Sequence, residues 1–259
     1  MVGKVLAAER RQLLARRLAE QGGVAVGDMA REFDVSTETI RKDLIFLEEQ
    51  GLALKSHGGA IPTGDLLERP MAIKGTENPQ AKAEIARAAR ELIPDNAIIL
   101  LDAGSTTFAL AQLVAEMGGV TVFTNSVPIM SLLGPTDNKV FCLGGELRGS
   151  SMAVAGAWAI DAVRGVRVDV AFLGTDGFVG QAGPSSASYE EMQFKSAVVE
   201  TSNRAVILSD HSKFGQRGLF QFCAWGEAHA LVTDSLAPEA DVRAIAQHTR
   251  VIVAGVEAR

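Results

Sequence analysis

Apolar residues recur at helical spacing through the first fifty positions of this chain, and beyond position 81 helical stretches alternate with short unbroken apolar runs. Residues 5–20 predict a first helix with Leu6, Leu13, Leu14 and Leu18 on one stripe, ended by Gly22-Gly23. Residues 24–33 predict a second, with Met29, Ala30 and Phe33 turned inward, although Ala25 at its start has no side chain to cap it. Asp34-Val35-Ser36 reads as a tight turn, and Asp tolerates a left-handed backbone. Ser36 then caps a third helix whose first turn carries Glu38, a carboxylate suited to the positive end of the helix dipole. Position 39 is Thr rather than Glu or Gln, so a simple cap is expected and not a capping box. Ile40, Leu44 and Leu47 form its buried stripe and Gly51 stops it. Apolar residues 52–54, then Lys55, His57 and Gly58-Gly59, follow the pattern of a β-wing.

Residues 62–80 break the pattern with three prolines and two glycines, which predicts a linker with room for one helical turn. Past it, helices are expected at 82–92, from the DAGSTT loop (102–107) to about 117, and at 127–133. Strands are expected at 97–101, 120–124, 140–143, 168–173, 205–208, 230–233 and 251–253. Such alternation predicts an α/β domain, a mostly parallel sheet with helices on both faces. The expected organisation is a small helical domain with a β-wing at 1–61, a linker at 62–80 and a second domain at 81–259.

With 47% hydrophobic and 22% charged residues over 259 positions, the chain has a normal globular balance. No uncharged apolar run reaches about 18 residues, so no membrane span is expected, and the charged N-terminus is unlike a signal peptide. Cys142 and Cys223 sit in apolar surroundings without CxxC spacing and read as reduced core residues of a cytoplasmic protein. Four scattered histidines offer no metal-ligand spacing, so no metal and no cofactor is expected. The net charge of −6 argues at first against nucleic acid, yet residues 1–60 hold nine basic and nine acidic side chains, so the excess lies downstream. DNA affinity would rest on local positive spots at Arg10, Arg11, Arg16, Arg17, Arg41, Lys42 and Lys55.

Ser36, Thr37, Thr39, Arg41 and Lys42 cluster on the N-terminal half of the third helix, where a recognition helix in a major groove keeps its donors. By periodicity alone the same helix is equally an ordinary surface helix. In the second domain, polar words end successive strands: DAGSTT (102–107), TNS (124–126), LGGE (143–146), LGTDGF (173–178) and LSDHSKFG (208–215), with SYEEMQFK (188–195) opening a helix. Gly104, Ser105, Thr106 and Thr107 at a helix start form a credible phosphate cradle, though not a Walker loop. Any one of these could be turn chemistry. Together they point to one crevice at the carboxyl ends of the strands.

The run VSTETIRKDLIFLEEQGLALKSHGGAI (35–61) resembles the N-terminal signature of the DeoR/GlpR family of bacterial transcriptional regulators. Residues 82–234, with DAGSTT, TNS, LGGELR, DVAFLGTDG and SDHSKFG, resemble that family's sensor domain, which is similar to ribose-5-phosphate isomerase. The resemblance implies a winged helix-turn-helix reading operator DNA through Ser36, Thr37, Thr39, Arg41, Lys42, Lys55 and His57. It also implies a phosphorylated sugar effector, with Gly104, Ser105, Thr106 and Thr107 on the phosphate and Asp102, Asp176, Lys195 and Lys213 facing the sugar or its phosphate. Gly145, Glu146, Glu190 and Asp210 would contact the ligand or shape the crevice. Arg69 matches an arginine common in the family's linker. The implied protein is a cytoplasmic repressor of a carbohydrate-catabolic operon, working as a homodimer or homotetramer, without catalysis. Two rivals are an active sugar-phosphate isomerase fused to DNA-binding helices and a purely oligomerising second domain. Against the first, Phe178 stands just after Asp176-Gly177, where the isomerases carry further acids.

Overall fold

Short amphipathic helices are marginal alone, and in the first of the chain's two units, Met1–Leu67, three of them share one core. The computed structural model describes residues 6–21, 23–49, 53–56, 58–62, 71–178, 180, 182–216 and 218–255. Helix α1 (Ala7–Gln21) contributes Leu14 and Leu18, α2 (Val26–Glu32) contributes Met29 and Ala30, and α3 (Thr37–Glu49) contributes Ile40, Leu44 and Leu47. Leu6 and Leu13 are exposed, contrary to the expected stripe: Leu6 precedes the helix and Leu13 lies about 100° around it from Leu14. The second helix also starts later than its apolar pattern indicated. Strand β1 (Val24–Ala25) precedes α2 and pairs antiparallel with β3 (Gly59–Pro62), which in turn pairs with β2 (Ala53–Ser56). Position 59 requires glycine, because a Cβ there would lie 1.9 Å from the Val24 carbonyl oxygen. Asp34 takes the left-handed turn at φ 50°, and Ala25 starts α2 without a side-chain cap. Gly51 and Gly22 lie outside the described residues.

One polar contact is built into this small core. Asp43, on the inner side of α3, accepts from Nε of Arg10 at 2.7 Å and from Nε of Arg11 at 2.8 Å, and Arg11 stacks over the Phe46 ring at 4.0 Å. Asp43 and Arg10 are both buried, so their charges are screened little by water.

The second unit, Glu68–Arg259, opens with α4 (Met71–Thr76) and α5 (Pro79–Arg90). Then come β4 (Ile98–Leu101), α6 (Ser105–Met117), β5 (Thr121–Thr124), α7 (Val127–Leu133) and β6 (Lys139–Cys142). A hairpin of β7 (Glu146–Arg148) and β8 (Ala153–Ala155) leads through α8 (Ala157–Arg164) to β9 (Val170–Gly174), β10 (Ser185–Ser186) and α9 (Tyr189–Thr201). The chain finishes with β11 (Ala205–Leu208), β12 (Phe220–Gln221), β13 (Ala230–Thr233), α10 (Glu239–Ile245) and β14 (Arg250–Val253).

Seven of these strands make one all-parallel sheet in the order β14-β13-β11-β9-β4-β5-β6. The pleat divides its side chains: Ile99, Leu101, Val170, Phe172 and Val206 pack with α5 and α6, while Leu100, Ala171, Leu173 and Ile207 pack with α8 and α9. The chain runs outward from β4 through β5 to β6, then returns to lay β9 on the other side of β4 and continues to β14. That reversal opens a crevice at the carboxyl ends of β4 and β9. Strand β6 is the sheet's edge, and Cys142 at its end is exposed rather than in the core. Cys223 is buried as expected, and burial, reinforced by Glu227, pushes its thiol up to about 12. Among the described residues no helix is long and apolar enough to cross a membrane.

Replacing Asp43 by Ala deprives two guanidinium groups of their shared acceptor and should destabilise the first unit by about 2–4 kcal/mol. Chemical unfolding followed through this unit checks it; a change within about 0.5 kcal/mol, the scale of an unimportant surface site, would contradict the role given to this contact.

Candidate functional site

The outward side of α3 in the first unit is polar because its stripe of Ile40, Leu44 and Leu47 takes the inward side. Ser36 caps the helix, its Oγ accepting the Thr39 N–H at 3.1 Å and bonding the Thr39 hydroxyl at 2.8 Å. The two hydroxyls hold each other at the helix start, and Thr37, Glu38, Arg41 and Lys42 are exposed along its first turns. Arg41 has only a loose contact with Glu38, 3.7 Å between exposed side chains. Lys55 on β2 is exposed but reaches back to Glu48 at 2.8 Å, and that hydrogen bond holds the Glu48 carboxyl below the ordinary range. His57 and the side chain of Arg16 lie outside the described residues.

The other positive spots expected from the sequence are not available in that form. Arg10 and Arg11 are engaged with Asp43, and Arg17 pairs with Glu32 at 2.7 Å. The acids that neutralise them stand 15 to 33 positions away in sequence, so only the tertiary fold discloses the pairing. Among the described residues of this unit, the exposed positive groups on α3 are Arg41 and Lys42, with Lys55 on β2 beside Glu48.

In the second unit, the crevice where the strand order reverses contains a cavity. The turn after β4 supplies Ala103, Gly104, Ser105 and Thr106; the end of β9 supplies Gly174, Thr175 and Asp176; the end of β11 supplies Ser209, Asp210 and Lys213. Glu191 and Lys195 enter from α9. The α6 helix begins at Ser105, so the amide groups of its first turn point out of the helix with no carbonyl of their own. Met71, Lys74, Glu77 and Lys82 line the remaining side. Those residues sit in or beside the stretch whose prolines and glycines read as a linker. The local pattern sets none of them apart from a polar linker, the spacing of Lys74 and Lys82 included.

Charges in the cavity are interlocked. Lys74 donates to Asp176 at 2.7 Å, and the other Asp176 oxygen accepts the Ala187 N–H at 2.8 Å. Burial opposes ionisation of Asp176, but the ammonium groups of Lys74 and Lys195 outweigh it and hold the carboxyl well below the usual range. Lys195 donates to the Gly174 carbonyl at 2.9 Å and stands 3.3 Å from Asp102. Burial works against its charge, yet Asp102, Glu191 and Asp176 together raise its pKa, so it remains an ammonium. Asp102 responds oppositely: burial raises its carboxyl, against the pull of Lys195 and the Gly174 N–H. For Lys82 and Lys213 burial is the largest influence and lowers both, only partly offset by Asp210 for the first and Asp176 for the second. Two desolvated ammonium groups beside an open helix N-terminus favour an anion.

Gly104, Ser105, Thr106, Asp176, Lys195, Asp210 and Lys213 thus share one cavity. Asp102 and Thr107 stand behind it. Asp102 braces β4 against β9 through Lys195 and Gly174, and the Thr107 hydroxyl donates to the Asp102 and Gly104 carbonyl oxygens, closing the turn from within. Gly145, Glu146 and Glu190 do not line it. Gly145 is held against Ala155, whose oxygen a Cβ would meet at 2.3 Å; Glu146 is exposed on β7; Glu190 accepts from Ser188 and stands 3.6 Å from Arg148. Its neighbour Glu191 faces the cavity instead. Phe178 is buried against Phe214 and Trp225, with ring centroids 4.8 and 5.2 Å away.

Asp102→Ala should therefore act through stability: removing the carboxylate beside buried Lys195 should cost about 3 kcal/mol in unfolding free energy. Asp102→Asn, which keeps an acceptor for the Gly174 N–H, should cost less. An unfolding free energy unchanged by Asp102→Ala would show that the residue does not brace the sheet.

Two family descriptions match the chain: the DeoR-like helix-turn-helix domain over residues 10–63 and the DeoR C-terminal sensor domain over residues 77–235. The HTH-type transcriptional regulator GlpR of Haloferax volcanii is 32% identical over 231 residues, covering 89% of this chain and 91% of that protein. The glycerol-3-phosphate regulon repressor of Escherichia coli K12 is 28% identical over 241 residues, covering 93% of this chain and 96% of that protein. Among solved structures, ribose 5-phosphate isomerase A of Methanocaldococcus jannaschii has 22% identity and a TM-score of 0.37, over 53% of this chain and 55% of that one. Relatives that match nearly end to end are regulators, so the chain is not read as an enzyme. With a helix-turn-helix unit at one end and the sensor fold over most of the remainder, this chain belongs to the DeoR family of DNA-binding transcriptional regulators.

Proposed function

We propose that this regulator is a repressor of a carbohydrate-catabolic operon, controlled by a phosphorylated sugar or sugar derivative held in the cavity of the second unit. The observation that carries the reading is the meeting of the α6 N-terminus with Lys82 and Lys213 at the reversal point of the sheet. A phosphoryl group satisfies the first-turn amides and both ammonium groups, while Asp176, Asp210 and the Ser105 and Thr106 hydroxyls suit the hydroxyls of a sugar. The Ser151 hydroxyl, buried at the wall with no hydrogen-bond partner among the described residues, is one further polar group for such a ligand. The name of the glycerol-3-phosphate regulon repressor supports a small phosphorylated metabolite. Operator DNA is read in the cytoplasm by Thr37, Arg41 and Lys42 of α3, with Ser36 and Thr39 setting the helix start, and with Lys55 of β2 and His57 as further contacts. The protein acts as a homodimer or homotetramer, because one nearly neutral head binds weakly and paired half-sites raise the effective concentration.

A thermal-shift panel of phosphorylated sugars, each beside its unphosphorylated form, tests the effector class. Stabilisation confined to particular phosphates is expected, since a ligand that binds only the folded state raises its stability. No shift with any phosphate would remove this reading of the cavity. Affinity for the stabilising compound should fall as pH rises through the depressed Lys82 and Lys213 values, below the ordinary lysine value of 10.5, with protons taken up on binding in that window. Calorimetry in buffers of different ionisation enthalpy measures the uptake.

Arg41→Ala or Lys42→Ala should each weaken binding to a fragment selected from a random DNA pool by about tenfold, on the scale of 1–3 kcal/mol per lost contact. Ligand-induced stabilisation should be unchanged in both. Fluorescence anisotropy checks the first statement, and affinity unaltered in both variants would take α3 out of the DNA interface.

A further inference from the structure

The α4 helix is six residues long and buries no side chain, so packing alone does not explain why it stays on the second unit. Among the contacts of the described residues, three polar anchors hold it. The Met71 N–H donates to the Ser150 carbonyl at 2.9 Å. Lys74 donates to Asp176 at 2.7 Å. The buried ammonium of Lys82, reaching up from α5, donates to the carbonyl oxygens of Lys74 and Glu77, at the end of α4 and just beyond it. Two of the three anchors, Lys74–Asp176 and Lys82, are made by side chains that line the cavity.

The cavity itself is small, about 50 Å³. Sites for small molecules generally measure roughly 300–1,000 Å³. On the far side of Met71 lies a second space of about 380 Å³, lined by Met71, Ala72, Gly75, Pro79, Phe108 and Pro128 among others. Met71, Lys82 and Ser105 border both. The helix is thus a partition between a tight polar cavity and a roomier, mainly apolar groove, fixed by the charges that an incoming anion competes for.

Resting on the effector reading above, we infer that α4 is a strap across the binding cavity: the ligand's anionic group draws Lys82 off the α4 carbonyls, its polar body separates Lys74 from Asp176, and the released helix opens the cavity into the adjoining groove. The consequence for regulation follows from chain order. Met71 is the first described residue of the second unit, so among the described residues the helix that the ligand releases is the sensor element nearest in sequence to the first unit. Lys74 and Lys82 become ligand-responsive residues, and strap position is the variable that both the ligand and the connecting chain act on.

The full-length protein carrying Met71→Cys and Ser150→Cys, in a Cys142→Ser background, tests this with inorganic phosphate as the probe. The reduced form should be stabilised by phosphate in thermal unfolding, and oxidation, which staples α4 at the Met71–Ser150 contact, should abolish that stabilisation. Equal stabilisation of oxidised and reduced forms overturns the strap while leaving the phosphate site intact; no stabilisation of either form overturns both. Hydrogen exchange gives a readout independent of the staple. Lys74→Met should raise amide exchange through residues 71–76 severalfold without ligand, and phosphate should do the same to the unmodified chain. Exchange unmoved by either treatment also overturns the strap.

Discussion

Strand order in the large sheet reverses between β4 and β9, and the arrangement of the sensor unit follows from how that seam is closed. Loops leaving two neighbouring parallel strands in opposite directions cannot cover the space between their carboxyl ends. A buried Lys195–Asp102 contact, tied to both the carbonyl and the N–H of Gly174, holds the two strand ends together just beneath that gap. Because the brace ties the two strand ends together at the base of the cavity, with Asp102 behind its wall, Gly104 to Thr106 and Thr175 to Asp176 are presented on a fixed base. A carboxylate and an ammonium with three acidic neighbours are costly to bury, which makes this the point where the polar chemistry of the cavity and the stability of the sheet are least separable.

Charge in both units is used locally more than globally. On the helix-turn-helix unit, Arg10 and Arg11 are bound to Asp43 and Arg17 to Glu32, so among the described residues Arg41 and Lys42 of α3 stand out as exposed positive groups. In the cavity, lysines and acids are closely interleaved, yet burial leaves Lys82 and Lys213 with depressed pKa values, whereas Lys74 and Lys195 keep the Asp176 charge strongly favoured in spite of burial. The uneven outcome reflects contacts: Asp176 has Lys74 within hydrogen-bond reach, whereas Lys82 donates to neutral carbonyls and Lys213 to the Gln216 amide at 2.8 Å. A neutral partner does not offset the desolvation of an ammonium as a carboxylate does. On the proposed reading of the cavity, anion affinity resides in the lysines that donate to neutral groups, Lys82 and Lys213.

Much of the architecture was legible from periodicity and punctuation. Predicted strands at 205–208 and 230–233 and the helix at 127–133 coincide with β11, β13 and α7, because unbroken apolar runs and a Ser-Val-Pro helix start carry their own boundaries. Ile40, Leu44 and Leu47 read correctly as one buried stripe, and Ser36 as its cap. Where a local pattern served two structures the sequence misled. Val24–Ala25 could open a helix or pair with a wing, and only the presence of β3 decides for pairing. Cys142 stands in an apolar run, but its strand is the sheet's edge.

Most element types, the mostly parallel α/β class of the second unit, the polar words that end its strands and the resemblance that names the family are all present in the sequence alone. These depend on interactions among near neighbours and on patterns that repeat along the chain. Tertiary structure alone decided which polar residues meet: that Asp102 braces the sheet, that Glu191 rather than Glu190 faces the cavity, and that Lys74 and Lys82 belong to it. Asp176 lies 102 positions from Lys74, and Asp43 lies 33 from Arg10. No periodicity spans such distances, because it is strand order and helix packing that bring the partners within hydrogen-bond reach.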